Sequence, residues 1–251
     1  MKQSILFKGM LAILLCLSSV QVEAQKHRAT RPDDASQFVN LAEAIPDVIL
    51  EIRYYSTFNF VGTRVDGYLE PVALLTRRAA DSLRVVSDEL KEQGYRLKIF
   101  DAYRPQCAVD HFVRWAADVN DTLMRSYFYP KIAKDKLFDL GFIAKKSGHT
   151  RGSTVDLTLF DMTTGKEVDM GGVFDWFGVE SHPHFGGDPK TGRYRPNPNI
   201  TLEQFHNRMI LRQAMLRHGF RAIGSEWWHF TLIDEPFPDT YFTFPVKQLS
   251  K

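Results

Sequence analysis

The sequence predicts an α+β fold in which a central antiparallel sheet is flanked by helices. Segments 153–160 and 226–233 alternate apolar and polar residues, as strands with two different faces do. Segments 73–93 and 201–219 instead repeat apolar residues at the spacing of a helix. Strands and helices do not alternate regularly along the chain, which favours α+β over a parallel α/β fold. We expect the helices on one face of the sheet and a functional site on the other.

The first half of the chain contains two predicted strands and two predicted helices. Residues 47–55 are rich in β-branched and aromatic side chains, and residues 96–101 alternate, so both segments are predicted to be strands. Residues 73–93 form the first predicted helix. Pro105 begins the second predicted helix, which extends to about Val119.

The second half contains a third predicted helix. Thr201 and Gln204 have the spacing of a capping box, and Gly219 follows the last apolar position. The residues predicted to face the core are Phe205, Met209, Ala214 and Leu216. Residues 182–199 are rich in glycine and proline and are predicted to form a long loop.

Length and charge limit the class of protein. The 251 residues suffice for one sizeable domain, which we place at residues 41–251, after a flexible segment at 25–40. The net charge is only +2, and no concentrated basic patch is visible. Nucleic acid is therefore not an expected partner, because phosphate binding needs such a patch.

Residues 1–24 have the features of a secretory signal peptide. Lys2 and Lys8 provide a positive start, residues 10–20 are apolar, and Ala24 ends a small-residue cleavage signal. One alternative is a membrane anchor, although the apolar run is shorter than the ~20 residues of a spanning helix. Another is a lipoprotein acylated at Cys16. We expect an exported protein, periplasmic or extracellular, without stable membrane insertion after cleavage.

Several reactive residue types are expected to have structural roles. Cleavage would leave Cys107 as the single cysteine, so we expect no internal disulfide and a buried structural thiol. His182 and His184 flank a proline, which extends the backbone, and are expected to be loop residues rather than metal ligands. His111 lies in a predicted helix and is expected at its packed or exposed surface.

A first group of chemically active residues surrounds the start of the strand at 153–160. In this strand Asp156 shares a polar face with Thr154 and Thr158, because the intervening positions are apolar. Gly152 permits a tight turn, which would bring His149 back beside Asp156.

A second group lies on the strand at 226–233. If this strand pairs with the first, His229 lies near Asp156. Two imidazoles and one carboxylate form a three-ligand zinc site with a fourth position open for water. Glu226 is close enough in sequence to His229 to accept a proton from that water.

The combined pattern resembles the zinc D-alanyl-D-alanine dipeptidases. It consists of Ser-x-His-x-x-Gly-x-x-x-Asp at 147–156 and Glu-x-Trp-His at 226–229. These metallopeptidases share a fold with the D,D-carboxypeptidases and the hedgehog amino-terminal domain. The resemblance extends from about residue 45 to residue 242 and includes three further segments, at 59–62, 100–105 and 169–175.

The resemblance implies a role for individual residues. His149, Asp156 and His229 would be the ligands of one zinc ion per chain, and Glu226 the general base. Arg104 would stabilise the oxyanion of the tetrahedral intermediate. Three residues would contact the substrate, the first of them beside its ammonium group: Asp175, Ser147 and Tyr54.

The resemblance also implies hydrolysis of a small D,D-dipeptide, D-Ala-D-Ala, to free D-alanine. A D,D-carboxypeptidase or peptidoglycan peptidase of the same fold would use the same ligands and is the first alternative. A catalytically silent zinc-binding interaction module is the second, although it would not need Glu226 and Arg104. A binding protein without metal is the third. A dipeptidase needs a lid over its site, and residues 177–199 are the candidate.

Overall fold

A computed structural model describes residues 31–249, so the expected signal peptide lies outside the described residues. The strands are β1 (Phe38–Asn40), β2 (Ile49–Leu50), β3 (Leu74–Thr76), β4 (Tyr95–Asp101), β5 (Thr154–Asp161), β6 (Lys166–Glu167), β7 (Gly187–Asp188), β8 (Arg193–Tyr194), β9 (Phe220–Ala222) and β10 (His229–Leu232). The α-helices are α1 (Leu41–Ala44), α2 (Arg77–Glu92), α3 (Gln106–Ala117), α4 (Arg125–Phe128) and α5 (Leu202–Arg217).

The central sheet has the strand order β2-β4-β5-β10-β9, and β6 also pairs with β5. All of its pairs are antiparallel except β2 with β4, which is parallel. The α+β class is thus confirmed, whereas the expected antiparallel arrangement does not hold for β2. The chain between β2 and β4 contains α2, and such a helical crossover returns a strand in the same direction.

The apolar face of β5 lies in the core, as its alternation predicts. Val155, Leu157 and Leu159 are fully buried, and the last two stand opposite Ile99 and Leu97 of β4. Helix α2 packs against β4 and against α5. The strand predicted at 47–55 is reduced to β2, because its remainder enters the turn that carries Tyr54.

A two-stranded ribbon replaces parts of two predicted segments. β1 lies within the segment that was expected to be flexible, and it pairs with β3 at the beginning of the predicted helix 73–93. Phe38 is buried and packs edge-to-face against Tyr103 and Phe242. These aromatic partners, which lie far along the chain, hold β1 in place, and local composition does not reveal them.

Helix α5 begins with the predicted capping box, in which Thr201 and Gln204 each bond the other's backbone. Leu216 was expected in the core but is 40% exposed. At 3.6 residues per turn, Leu211 and Met215 occupy the inner face instead, together with the charged Arg208.

All helices were expected to lie on the face of the sheet opposite the functional site, but α3 does not. Val109 and Phe112 of α3 line the same cavity as His149. Within residues 31–249, no helix combines the length and apolar character that crossing a bilayer requires.

Candidate active site

His149 is placed by a short 3₁₀ turn at Gly148–Arg151. The Ser147 hydroxyl caps this turn by accepting a hydrogen bond of 3.2 Å from the His149 backbone N–H. Gly152 ends it with a φ of 77°, and a Cβ there would lie 2.3 Å from the Phe38 ring. Glycine is required for both reasons. The turn predicted from Gly152 is therefore confirmed.

Asp156 and His229 are brought together by strand register. They are directly opposite each other in the antiparallel pair of β5 and β10. The neighbouring pair, Thr154 and Thr231, is joined by a hydroxyl hydrogen bond of 2.9 Å. This pairing confirms the expected proximity of the two groups.

The three predicted ligands form one tight cluster. His229 Nδ1 lies 3.1 Å from Asp156 Oδ1, and His149 Nε2 lies 3.2 Å from Asp156 Oδ2. The two imidazole nitrogens are 3.2 Å apart. Within residues 31–249 this is the one group of three His, Cys, Asp or Glu side chains that could hold a metal ion.

The surroundings prepare the cluster for a cation. His149 Nδ1 lies 2.7 Å from the Ala102 carbonyl oxygen, which fixes a proton on Nδ1 and leaves the Nε2 lone pair facing the cluster. Burial lowers the pKa of His149 and so favours the neutral imidazole. Burial opposes ionisation of Asp156, but His149 and His229 keep its pKa below the usual value.

Glu226 reaches the cluster from a bend just before β10. The predicted strand begins three residues later than expected, at His229, so Glu226 is not held by sheet pairing. Its Oε2 lies 3.4 Å from His229 Nδ1. Burial raises the pKa of Glu226, and the negative charge of Asp156 adds to that effect. A carboxyl group with a raised pKa is well suited to accept and return a proton.

Arg104 is held in the site by a carboxylate to which the sequence reasoning assigned no role. Asp101 Oδ2 accepts a hydrogen bond of 2.9 Å from Arg104 Nε, and Asp101 Oδ1 accepts one of 2.6 Å from the Tyr68 hydroxyl. Asp101 is fully buried, and burial raises its pKa. The sequence contained a sign of this role, because the segment 100–105 of the family resemblance includes both Asp101 and Arg104.

A β-bulge brings Asp101 to this position. Simple alternation would place Asp101 on the apolar face with Leu97 and Ile99. The pairing of β4 with β5 shifts between Ile99 and Asp101, so Asp101 stands opposite Asp156. Bulges of this kind redirect a side chain and are frequent beside active sites.

Asp175 and Tyr54 meet on another wall of the site. The Tyr54 hydroxyl donates to the Asp175 carboxylate, with oxygen distances of 2.9 and 3.2 Å. Asp175 has a φ of 63° and is the one non-glycine residue within 31–249 with a positive φ. Burial raises its pKa well above the usual range, and Asp156 contributes in the same direction. An incoming cation would stabilise the ionised carboxylate.

All eight predicted site residues line one cavity of about 270 Å³. Phe142 and Lys146 also line the cavity, although no role in the site was predicted for them. The Phe142 ring stacks on Phe177 at 5.0 Å. Of the predicted lid at 177–199, Phe177 is the one residue that lines the cavity. The predicted lid thus contributes one residue to the lining, and that residue packs against Phe142 from another part of the chain.

Four other residues with reactive side chains lie outside the cavity lining. His182 and His184 face each other at 5.0 Å and do not belong to the metal-binding group, as expected. His111 accepts a backbone hydrogen bond from Asp66. Cys107 is exposed, so the expectation of a buried thiol is wrong. It sits in the first turn of α3, where the apolar positions Ala108 and Val109 face inward instead.

The cavity places a carboxyl group with a raised pKa and a guanidinium beside a cluster suited to a metal ion. Such groups together can hydrolyse an amide, because one activates water and the other stabilises negative charge on oxygen. Fold and site thus define a metallopeptidase. The chain belongs to the D-ala-D-ala dipeptidase family, which matches residues 34–247.

Three relatives illustrate this similarity, and each is a D-alanyl-D-alanine dipeptidase. The protein from Enterococcus faecalis is 40% identical over 209 residues, which cover 83% of this chain and 98% of the relative. The protein from Streptomyces coelicolor is 37% identical over 209 residues, with the same coverage of both chains. The protein from Escherichia coli is 31% identical over 199 residues, which cover 79% of this chain and 86% of the relative.

Proposed function

We propose that this chain is an exported, zinc-dependent dipeptidase that hydrolyses D-Ala-D-Ala to free D-alanine. The observation that carries the proposal is the placement of Asp175 in the same small cavity as the His149–Asp156–His229 cluster. A carboxylate at a fixed distance from the metal-binding group can bind the substrate ammonium while the first peptide bond lies at the metal-binding group. This arrangement selects substrates in which the free amine is adjacent to the bond that is cleaved. Pockets for drug-sized ligands measure roughly 300–1,000 Å³, so a cavity below that range suits a dipeptide.

Zinc fits the donor set. Two imidazole nitrogens and one carboxylate oxygen are typical zinc ligands, and three protein ligands leave a position for water. Asp156 Oδ1 is buried, and its polar neighbour at 3.1 Å is Nδ1 of His229, another proposed ligand, so a cation could lie between the two atoms. When bound, zinc supplies positive charge that acidifies water and polarises a carbonyl group.

Glu226 and Arg104 would carry out the chemical step. Glu226 accepts the proton of the attacking water and then delivers it to the leaving amine, for which its raised pKa is favourable. Arg104 donates to the carbonyl oxygen as negative charge develops there. Its guanidinium lies 4.9 Å from the Tyr54 ring centre and is fixed by Asp101, so little reorganisation is needed.

Asp175 and Tyr54 would bind the substrate ammonium, and Ser147 would be a further substrate contact in the same cavity. A buried carboxylate with a raised pKa gains stabilisation when a cation enters, so a free amine is selected over a blocked one. Ser147 also caps the turn of His149, which couples substrate contact to the position of a metal ligand.

Export is supported by residues 1–24, which have the composition of a signal peptide. An exported dipeptidase acts on dipeptide released from the cell wall, which favours nutrient recycling over antibiotic resistance. Fractionation of cells that express the full chain should recover protein beginning at Gln25 outside the cytoplasm. Recovery of uncleaved protein in the cytoplasm would contradict export without affecting the proposed reaction.

The decisive experiment measures D-alanine release from D-Ala-D-Ala by purified residues 25–251, with a stem pentapeptide ending in the same pair for comparison. We expect cleavage of the dipeptide alone, its loss with a chelator, and its recovery when zinc is added. Cleavage of the pentapeptide instead would indicate a D,D-carboxypeptidase. Binding of zinc without cleavage of either substrate would indicate an interaction module.

A further inference from the structure

Arg208 is a buried cation whose partners are backbone carbonyl groups. It lies on the inner side of α5 and is 1% exposed. Burial lowers its pKa to about 10, although the nearby Asp169 counteracts this effect. A buried charge opposes folding unless it is well bonded, so its presence calls for a specific reason.

The Arg208 guanidinium joins the two ends of one loop. Its Nε donates to the Met170 carbonyl at 2.6 Å, and its Nη1 donates to the carbonyls of Glu180 and His182 at 3.0 and 3.3 Å. We call residues 170–182 the Asp175 loop, because Asp175 lies between these two anchored ends. The strained φ of Asp175, 63°, persists only if the surroundings hold the loop in place.

The same guanidinium contacts the segment that carries Glu226. Its carbon lies 5.6 Å from the ring centre of Trp227, the residue after Glu226. The Trp227 backbone N–H donates to the Ser181 carbonyl of the Asp175 loop at 2.8 Å. Arg208 therefore contacts both the loop of the ammonium-binding carboxylate and the segment of the proposed base.

The planar guanidinium of Arg208 fits closely against the Asp175 loop. A Cβ on Gly172, within the Asp175 loop, would lie 3.1 Å from Arg208 Nη2. The carbonyl groups of Met170 and Glu180 are reached by different nitrogens of one planar fork, a geometry that a lysine ammonium does not reproduce. Nη2 of Arg208 has no hydrogen-bond partner within the described residues, so Nε and Nη1 alone hold the loop.

We propose that Arg208 is a positioning residue that sets the distance between Asp175 and the catalytic groups, and thereby the selectivity for substrates with a free amine. This inference rests on the proposed dipeptidase function. Arg208 touches no substrate. It acts by holding the Asp175 loop, so its loss affects recognition of the ammonium more than recognition of the rest of the dipeptide.

The test compares wild type with Arg208→Lys, using D-Ala-D-Ala as substrate and propionyl-D-alanine as competitive inhibitor. The inhibitor has hydrogen in place of the ammonium and is otherwise the same molecule. We expect KM for the dipeptide to rise ~10- to 100-fold, because small displacements of active-site groups have effects of this size. The inhibition constant and the zinc content are expected to stay at wild-type values. Arg217→Lys is the control, because Arg217 lies on the same helix but pairs with Glu89 at the surface.

Equal changes in KM and in the inhibition constant would overturn the inference, because they indicate general damage to the pocket. No change in either would overturn it as well. If Arg208→Lys does not fold, Gly172→Ala replaces it, because the added Cβ displaces the guanidinium from the side of the loop. This variant is expected to raise KM for the dipeptide relative to the inhibition constant of propionyl-D-alanine. Failure of the wild type to cleave D-Ala-D-Ala would refute the proposed function itself, which separates the two failures.

Discussion

Arg104 is held in the active site by Asp101, whose Oδ2 lies 2.8 Å from Nη2 and 2.9 Å from Nε of the guanidinium. The same carboxylate oxygen lies 3.5 Å from His149 Nδ1. One buried side chain thus supports both the proposed oxyanion-binding group and a proposed metal ligand. Supporting residues of this kind often matter almost as much as the groups they orient.

Asp101→Asn is expected to lower kcat/KM for D-Ala-D-Ala by ~10- to 100-fold, the usual effect of removing such a support. The amide keeps the size of the carboxylate but loses the charge that orients Arg104. Steady-state kinetics with a parallel zinc assay checks this result. Wild-type kinetics in a zinc-loaded variant would show that Asp101 has no part in orientation.

Glu226→Gln is expected to reduce kcat by ~10²- to 10⁴-fold, the usual contribution of a general acid–base group. Zinc binding should persist, because Glu226 is not among the three proposed ligands. The measurement combines single-turnover kinetics with metal analysis. The assignment of Glu226 as the base would not survive a variant that keeps full turnover.

Chelation is expected to abolish activity and to lower the thermal midpoint, and zinc should restore both. After chelation the buried Asp156 lacks the cation that compensates for the desolvation of its carboxylate. In addition, a metal ion that binds only the folded state stabilises that state, and this stabilisation is lost. Differential scanning calorimetry on chelated and zinc-loaded protein measures the shift. His229→Ala should behave as the chelated protein in both conditions, and a zinc-dependent shift in that variant would contradict the ligand assignment.

Gly152→Ala is expected to destabilise the fold and to reduce zinc binding. An L-residue in the left-handed region is less stable by ~1–2 kcal/mol, and overpacking against Phe38 adds ~1–3 kcal/mol. Gly165→Ala is the matched control, because its φ is 66° but no atom lies within 4 Å of its Cβ. Denaturant unfolding should separate the two variants. Equal losses would mean that the contact with Phe38 has no effect.

Asp175→Asn is expected to raise KM for D-Ala-D-Ala by at least ~10-fold, since about 1.4 kcal/mol of charge interaction corresponds to that factor. Asparagine tolerates a positive φ, so the backbone at 63° is preserved and the charge alone is tested. Propionyl-D-alanine should inhibit the variant as well as it inhibits wild type. An unchanged KM would remove Asp175 from ammonium recognition.

Much of the candidate site follows from the sequence, because strand alternation and close spacing are local properties. Asp156 lies on the polar face of β5, His149 returns to it through the Gly152 turn, and His229 faces it from β10. The expected roles of Arg104 and Asp175 come from the resemblance to a family, because local pattern alone leaves both residues ambiguous. The capping box of α5 is likewise encoded in two residues three positions apart.

Contacts between distant parts of the chain decided the remainder. The sequence by itself determined which side chains alternate and where helices begin, since these depend on neighbours within a few residues. It did not reveal the bulge that turns Asp101 towards Asp156, the pairing of β1 with β3, or the stacking of Phe142 on Phe177 in the cavity wall. Each of these depends on a partner far along the chain, and the free energy of such a contact has no signature in local periodicity. Tertiary structure therefore decided how the site is supported and which further residues line it.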